Sequence, residues 1–478
     1  MRQGIQTRPR IAIVLISAVL SGCAVGPRYV RPQFPTPDSY KEAPLGTEVL
    51  QPALPNDAAS RREWWQTFGN GPLSNLEEQL VAGNPSLTEA DARFRQAKAV
   101  VRQDRAGYAP TIGTSLSADR LHGSSGALNG IEAGTGQYSL TGDVSWEPDF
   151  WGRVRQTVAA GVASAQAARG DLENARLSLT ATLALDYFQL RSFDADLVLL
   201  NESIDAYERS LTLTQNQYNA GLVARTDVAQ AETQLASARA QAVDVTLQRA
   251  QMEHAIAVLI GVAPSALSLQ PAPLDGEPPP VPLELPSRLL ERRADVAAAE
   301  RRVAAANAQI GVAASAFFPI VSLTGSVGFQ ASALAQWLAW PSRFWSVGPT
   351  LALTLFDGGA RQAARANAQA AYDAEAATYR QVILTVFQDV EDNLAAQRLL
   401  AVESQQQQAA ATAARTALDV SLNQYRAGLV SYLAVVTSQS TSLTAERTLV
   451  ALTARRYEAA VQLIKALGGG WDGQLDVS

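Results

Sequence analysis

Histidine and cysteine are nearly missing from this chain: its 478 residues include two His and one Cys. A single Cys cannot form an internal disulfide, and a metal site or thiol enzyme has little material to draw on. Aromatic residues are sparse at 7%, and the mild net charge of −6 includes no basic stripe that would suit nucleic acid. The long apolar blocks of a polytopic helical membrane protein are absent. There is no Gly-rich phosphate loop, nucleophile elbow or metal-ligand cluster. His254 falls on a helical stretch, and His122 opens a Gly- and Ser-rich loop with no acid or nucleophile beside it. No enzyme, cofactor or metal centre is expected. Ala, Gln, Ser and Thr are abundant, and small residues in long runs suit helices packed closely side by side.

The lone cysteine has a specific setting. Arg2, Arg8 and Arg10 precede an apolar run from Ile11 to Leu20, the pattern of a signal peptide over residues 1–22. That run is shorter than the ~20 residues a spanning helix needs. It ends in Leu20-Ser21-Gly22-Cys23, which looks like a bacterial lipobox and makes Cys23 the expected lipidation (palmitate) site. The alternative is an ordinary secretory signal with a chance Cys. Several acyl chains on the mature N-terminus would hold it firmly in a membrane. Ala24 follows where an Asp would resemble an inner-membrane retention signal, which favours the outer membrane.

The chain repeats itself at a separation of about 207 residues. Tyr218-Asn219-Ala220-Gly221-Leu222-Val223 returns as Tyr425-Arg426-Ala427-Gly428-Leu429-Val430. Phe150-Trp151-Gly152 returns as Phe356-Asp357-Gly358, and Ala109-Pro110 as Phe318-Pro319, in the same order. Each unit reads as helix, strand, strand, long helix, turn, helix. In the first unit, residues 84–261, helices are expected near 87–107, 153–218 and 226–261, with strands near 110–121 and 137–148. In the second unit, residues 293–467, helices are expected near 294–314, 359–425 and 432–467, with strands near 319–330 and 344–356. Residues 23–83 form a lipidated N-terminal segment and part of a belt, 262–292 a Pro-rich belt linker, and 468–478 a tail.

The strands alternate. Tyr138, Leu140, Val144 and Trp146 share one side; Val321, Leu323, Val327 and Phe329 alternate with Ser322, Thr324, Ser326 and Gly328. Trp345, Val347, Leu351, Leu353 and Leu355 alternate in the same way. An apolar face backed by a small, polar face suits a transmembrane barrel or a soluble sandwich with one wet face. The two longest helical stretches contain no proline over about 65 residues each, or roughly 100 Å at 1.5 Å per residue. Val228, Ala231, Leu235, Ala238, Ala242 and Val245 fall on a coiled-coil seam, as do Leu433, Val436, Leu443, Val450, Tyr457, Val461 and Ile464. Two short helices stacked end to end would nearly match one long helix. Four strands cannot close a membrane barrel, whose smallest members have about eight, and open edges are forbidden in lipid. Transmembrane strands therefore require an oligomer.

The ordered motifs resemble the TolC/OprM-type outer membrane factor family, most closely its NodT-like lipoprotein branch associated with resistance-nodulation-division pumps. Residues 23–32 resemble that branch's mature start; Trp64-Trp65-Gln66-Thr67-Phe68 with Asn84-Pro85-Ser86-Leu87 resembles its next block. Arg292-Arg293-Ala294-Asp295-Val296 resembles the second-repeat helix start, with Ala294 where the family usually has Pro. The resemblance implies a fold that is mainly α with a transmembrane β part. It implies a homotrimer with a 12-stranded outer-membrane β-barrel and a 12-helix periplasmic α-barrel. It implies the exit duct of a tripartite efflux pump, drug resistance as the setting, and three partners: outer-membrane lipid, a periplasmic adaptor protein and an inner-membrane transporter. The tip residues it implies are Tyr218, Gly221, Leu222, Val223, Arg225, Asp227, Tyr425, Gly428, Leu429 and Val430. Relatives often carry Asp where this chain has Val430, so an acidic gate is not expected there, and an apolar constriction is open. Asp227 lies by the first turn and Asp419 about two turns before the second; either could supply charge at the tip, and a solvated helix-surface carboxylate is the favoured reading. Arg225 is placed to pair locally or to meet the adaptor. The loops from Gly123 to Gly136 and from Gln330 to Arg343 should face outside. The alternatives are a duct for type I protein secretion and a structural coiled-coil lipoprotein of the periplasm.

Overall fold

A computed structural model describes residues 25–35, 37, 39–42, 61–121, 135–274, 276–281 and 293–469. The signal peptide, Cys23, His122 and the loop residues 123–134 lie outside the described residues. The first unit comprises helix α1 (Gly71–Gly83), α2 (Pro85–Ala106), strands β1 (Thr111–Leu121) and β2 (Thr135–Trp146), α3 (Arg153–Asn219) and α4 (Arg225–Leu259). The second comprises α5 (Ala294–Ser315), β3 (Ile320–Ala331), β4 (Arg343–Ala352), α6 (Ala360–Arg426) and α7 (Tyr432–Ala466). The duplication is length for length: α2 and α5 have 22 residues, α3 and α6 have 67, and α4 and α7 have 35. At 1.5 Å per residue the long helices run ~100 Å.

Two differences from the sequence reading stand out. Helix α1 and a preceding 3-10 segment, Arg61–Phe68, occupy a stretch that was assigned no element. Asn70 caps α1 by accepting from the Leu73 N–H, and Leu73, Leu76 and Leu80 are buried. Strand β4 ends at Ala352 rather than at 356. The chain must turn there, since Gly358 and Gly359 adopt φ of 62° and 92° to enter α6.

The four strands form one antiparallel meander, β1-β2-β3-β4, whose edges at β1 and β4 are open. Opposed residues in the ladders share a face. Ile112 opposes Val144, Leu140 opposes Phe329, and Val327 opposes Trp345 on one face. Ser115 opposes Thr141, Ser145 opposes Thr324, and Ser326 opposes Ser346 on the other. The alternation anticipated from sequence is thus present in three dimensions as an apolar side and a hydroxyl-rich side.

The helices continue from one end of the sheet in the same side-to-side order as the strands. Helices α2 and α4 flank α3 on one side, α5 and α7 lie between α3 and α6, and α6 ends the row. The short helices do stack end to end. Asn84, which caps α2, donates its Nδ2 to the Leu259 carbonyl at 2.7 Å. Arg293, which precedes α5, donates Nη1 to the Ala466 carbonyl at 3.0 Å. Small residues bring the columns together: a Cβ at Gly170 on α3 would lie 2.8 Å from the Ala294 carbonyl oxygen and 2.9 Å from Ala298 Cβ.

The α4 seam packs as anticipated, with Val228, Ala231, Leu235, Ala238 and Val245 buried. The α7 seam needs correcting. Its first half runs through Tyr432, Val435, Gln439 and Ser442, one residue off the anticipated line, and Leu433 is exposed, while Leu443 is buried as anticipated. Around mid-height, Trp64, Trp65, Phe68, Phe188 and Tyr457 form an aromatic cluster that seats the 3-10 segment and α1 on α3 and α7. The start of the belt linker is clamped there too. Arg191 donates to the Gln270 carbonyl, Arg249 to the Leu269 carbonyl, and Asp194 accepts from both arginines and from the Ala272 N–H.

Candidate functional site

The ends of α3 and α6 remote from the sheet carry the two repeated turns. Both close the same way. Gly221, at φ 76°, donates its N–H to the Tyr218 carbonyl, while Leu222 donates to Gln217, each at 2.9 Å. Gly428, at φ 72°, donates to Tyr425 and Leu429 to Gln424, again each at 2.9 Å. These are paired Schellman caps, and only a residue that tolerates the left-handed conformation fits the Gly position. Each cap pushes one leucine into solvent, with Leu222 74% and Leu429 75% exposed. Val223 and Val430 are half-buried.

The two turns are alike in backbone and unlike in side chains. Tyr425 is buried, 4% exposed, and packs edge-on against Tyr432 with ring centroids 5.2 Å apart. Its hydroxyl meets Thr214 Oγ1 on α3 at 3.3 Å, and Gln439 Nε2 donates to Ser210 Oγ on the same helix at 3.3 Å. Burial, aided by the neighbouring Tyr425 and Tyr207 and least by the Asp227 carboxylate, pushes the Tyr432 phenol up to about 12, and burial raises the Tyr425 phenol as well. Both stay neutral hydrogen-bonding groups. Tyr218, at the matching place, is 38% exposed, with the Arg225 guanidinium 5.9 Å from its ring centre.

The anticipated tip residues therefore divide. Tyr425 and Val430 join a packed cluster with Tyr432, Val435 and Ala231, while Asp227 stands close enough to be felt by both tyrosines. Gly221, Leu222, Gly428 and Leu429 form the exposed turns. Arg225 approaches Glu232 at 4.0 Å and not Asp227. Asp419 is exposed on α6, away from that cluster. Sequence reasoning missed Thr214, Ser210, Tyr432 and Gln439. The only available signal was Tyr432 lying seven residues before Gln439, a heptad step hidden by a polar side chain.

At the opposite end the sheet has a hydroxyl-rich face and an apolar one, and no described helix is long and apolar enough to cross a membrane. Among the described residues no group of His, Cys, Asp or Glu could hold a metal ion.

The architecture has counterparts. A profile described as outer membrane efflux protein matches residues 76–262 and 285–469, one match for each repeat. The toluene efflux pump outer membrane protein TtgC of Pseudomonas putida is 30% identical over 97% of this chain and 96% of its own. The pyoverdine export outer membrane protein OpmQ of Pseudomonas aeruginosa is 31% identical over 96% of each chain. The solved outer-membrane channel OprN superimposes with a TM-score of 0.85 at 29% identity, over 94% of this chain and 100% of that one. With both repeats matched and nearly the whole length aligned, the chain belongs to the outer membrane efflux protein family.

Proposed function

We propose that the protein is a passive exit duct of a tripartite efflux pump, assembled as a homotrimer in the outer membrane. The observation that carries this reading is the shared order of strands and helices. The row ends on one side at β1 with α2 and α4 and on the other at β4 with α6, so the chain has two different open edges. Different edges join head to tail, and head-to-tail joints that close make rings. Two copies would give eight strands, whose interior side chains fill. Three copies give twelve, and the lumen-side residues are small hydroxyls such as Ser115, Thr141, Thr324 and Ser346. A wet pore with an apolar exterior follows.

The tip is the part of the duct farthest from the membrane, and so the part that would meet a periplasmic adaptor. Leu222 and Leu429, presented on rigid caps, are apolar knobs of the kind a partner helix buries. The sequence carries no nucleotide-hydrolysing motif, so energy and substrate choice would come from an inner-membrane transporter. Relatives equally similar to this chain are named for toluene efflux and for pyoverdine export. Lipidation at Cys23 fits the strap that follows it. Val25 donates its N–H to the Trp151 carbonyl at 3.2 Å, beside the membrane-proximal foot of the sheet.

Native mass measurement and electron microscopy of membrane-extracted protein test the assembly. A threefold tube with diacylated or triacylated chains is expected, and a compact monomer would overturn both duct and barrel.

A further inference from the structure

The outward face of the sheet bears only two charged residues among its described positions, and both are arginines. Arg120 on β1 opposes Gly136, and Arg343 on β4 opposes Phe329, which puts both on the same face as Leu116 and Val327. Each lies at the end of its strand remote from the helices, which is the extracellular end of an outer-membrane duct.

Three arginines at the other end of the sheet have carboxylate partners. Arg153 meets Glu147 at 2.7 Å, Arg155 meets Asp149 at 3.1 Å, and Arg361 meets Asp357 at 2.6 Å. Arg120 and Arg343 meet no carboxylate among the described residues. Arg343 lies instead over the exposed Trp340 ring, 3.8 Å from its centre. A cation left unpaired on a lipid-facing surface is costly at mid-bilayer and nearly free at the interface. Depth therefore decides the matter. Arg120 stands eight residues from Ile112, and Arg343 eight from Leu351, so each lies ~27 Å along its strand from the periplasmic end of the apolar face. At a tilt of ~40° that is ~21 Å of height, close to the ~25 Å apolar band of such barrels. Both guanidinium groups sit where headgroups begin. A planar guanidinium with five donors is suited to a phosphate.

We infer that Arg120 and Arg343, with Trp340 beneath the latter, form a binding rim for the phosphates of outer-leaflet glycolipid. This rests on the ring assembly above, in which β4 of one copy adjoins β1 of the next. Arg343 and Arg120 then border the same seam, and the ring carries three such seams. Lipid phosphate at each seam would neutralise both cations and bridge neighbouring subunits.

The test is native mass spectrometry of the detergent-extracted oligomer titrated with bisphosphorylated lipid A, with dephosphorylated lipid A and with phosphatidylglycerol. The oligomer mass reports on the ring, and the adduct reports on the rim, so the two can fail separately. Lipid A adducts should persist on the wild type and weaken at least tenfold in the Arg120→Gln/Arg343→Gln double variant. Arg153→Gln should leave them unchanged. Dephosphorylated lipid A should bind the wild type as weakly as lipid A binds the double variant, a comparison that needs no variant to fold. Equal adducts on wild type and double variant, or phosphatidylglycerol retained as strongly as lipid A, would overturn the inference.

Discussion

Asn84 joins two helices with one side chain. Its Nδ2 donates to the Leu259 carbonyl at the end of α4, and its Oδ1 accepts from the Leu87 N–H at the start of α2, at 2.7 and 2.9 Å. A helix end leaves carbonyls without partners and a helix start leaves N–H groups without partners, so one amide placed between them satisfies both. Asn84→Ala should cost about 2–3 kcal/mol, one cap plus one buried hydrogen bond. Gly261→Ala should be worse. Gly261 has φ 80°, and a Cβ there would stand 2.2 Å from the Gly83 carbonyl oxygen. Thermal unfolding followed by circular dichroism in detergent checks both; a Gly261→Ala protein as stable as wild type would sink the end-to-end joint.

Glu77 on α1 is fully buried, and neither carboxylate oxygen has a hydrogen-bond partner. Desolvation pushes its carboxyl up to about 9 from the ordinary 4.5. It is therefore protonated in the native protein at neutral pH. Between those two values the unfolded chain has released a proton that the native chain keeps, so stability falls as pH rises. Glu77→Gln removes the titration. It should leave melting unchanged near pH 5 and raise stability by a few kcal/mol near pH 8. Parallel melting curves for the two proteins from pH 5 to pH 8 would refute the buried neutral carboxyl.

The joint at Asn84 and the buried Glu77 differ in how far the sequence revealed them. Asn84-Pro85 announces a helix start on its own, because cap chemistry is local. The strand faces were legible for the same reason: Val321 to Phe329 alternate, and a period of two has one reading. The α7 seam is displaced because Leu433 and Val436 are more apolar than Gln439 and Ser442, yet Gln439 is buried with a hydrogen bond to Ser210 on α3 and Ser442 is buried with one to Glu446 on its own helix. Tyr218 and Tyr425 sit in nearly identical motifs. Their different fates depend on which helix lies alongside, and neighbour choice across the row is written in no local pattern.

That difference predicts unequal mutants at the tip. Tyr425→Ala removes a buried ring that ties the α6–α7 turn to Thr214, at a cost of about 3–5 kcal/mol to local packing. Tyr425→Phe loses only a hydroxyl contact and should cost about 1 kcal/mol. Tyr218→Ala removes a half-exposed ring and should cost less than Tyr425→Ala. In planar bilayers Tyr425→Ala should raise single-channel conductance well above wild type, with Tyr425→Phe and Tyr218→Ala in between. Equal conductance for the two alanine variants would show that the packed cluster does not constrain the tip.

The two faces of the sheet make the sharpest contrast, since adjacent residues differ only in the direction they point. Leu116 points outward on β1, midway between Ile112 and Arg120, and Ser115 points to the hydroxyl face opposite Thr141. An arginine at mid-depth on the lipid face costs about 2–4 kcal/mol per chain, and an assembled ring carries that cost in every subunit. On the lumen face the same side chain stays in water. Leu116→Arg should therefore lower the yield of membrane-inserted oligomer severely, whereas Ser115→Arg should insert normally and shift the pore's ion preference toward anions. Gel mobility of unheated oligomer and reversal potentials in asymmetric salt measure the two effects. Normal insertion of Leu116→Arg would mean that the apolar face is covered by protein rather than lipid, and the barrel would have to be abandoned.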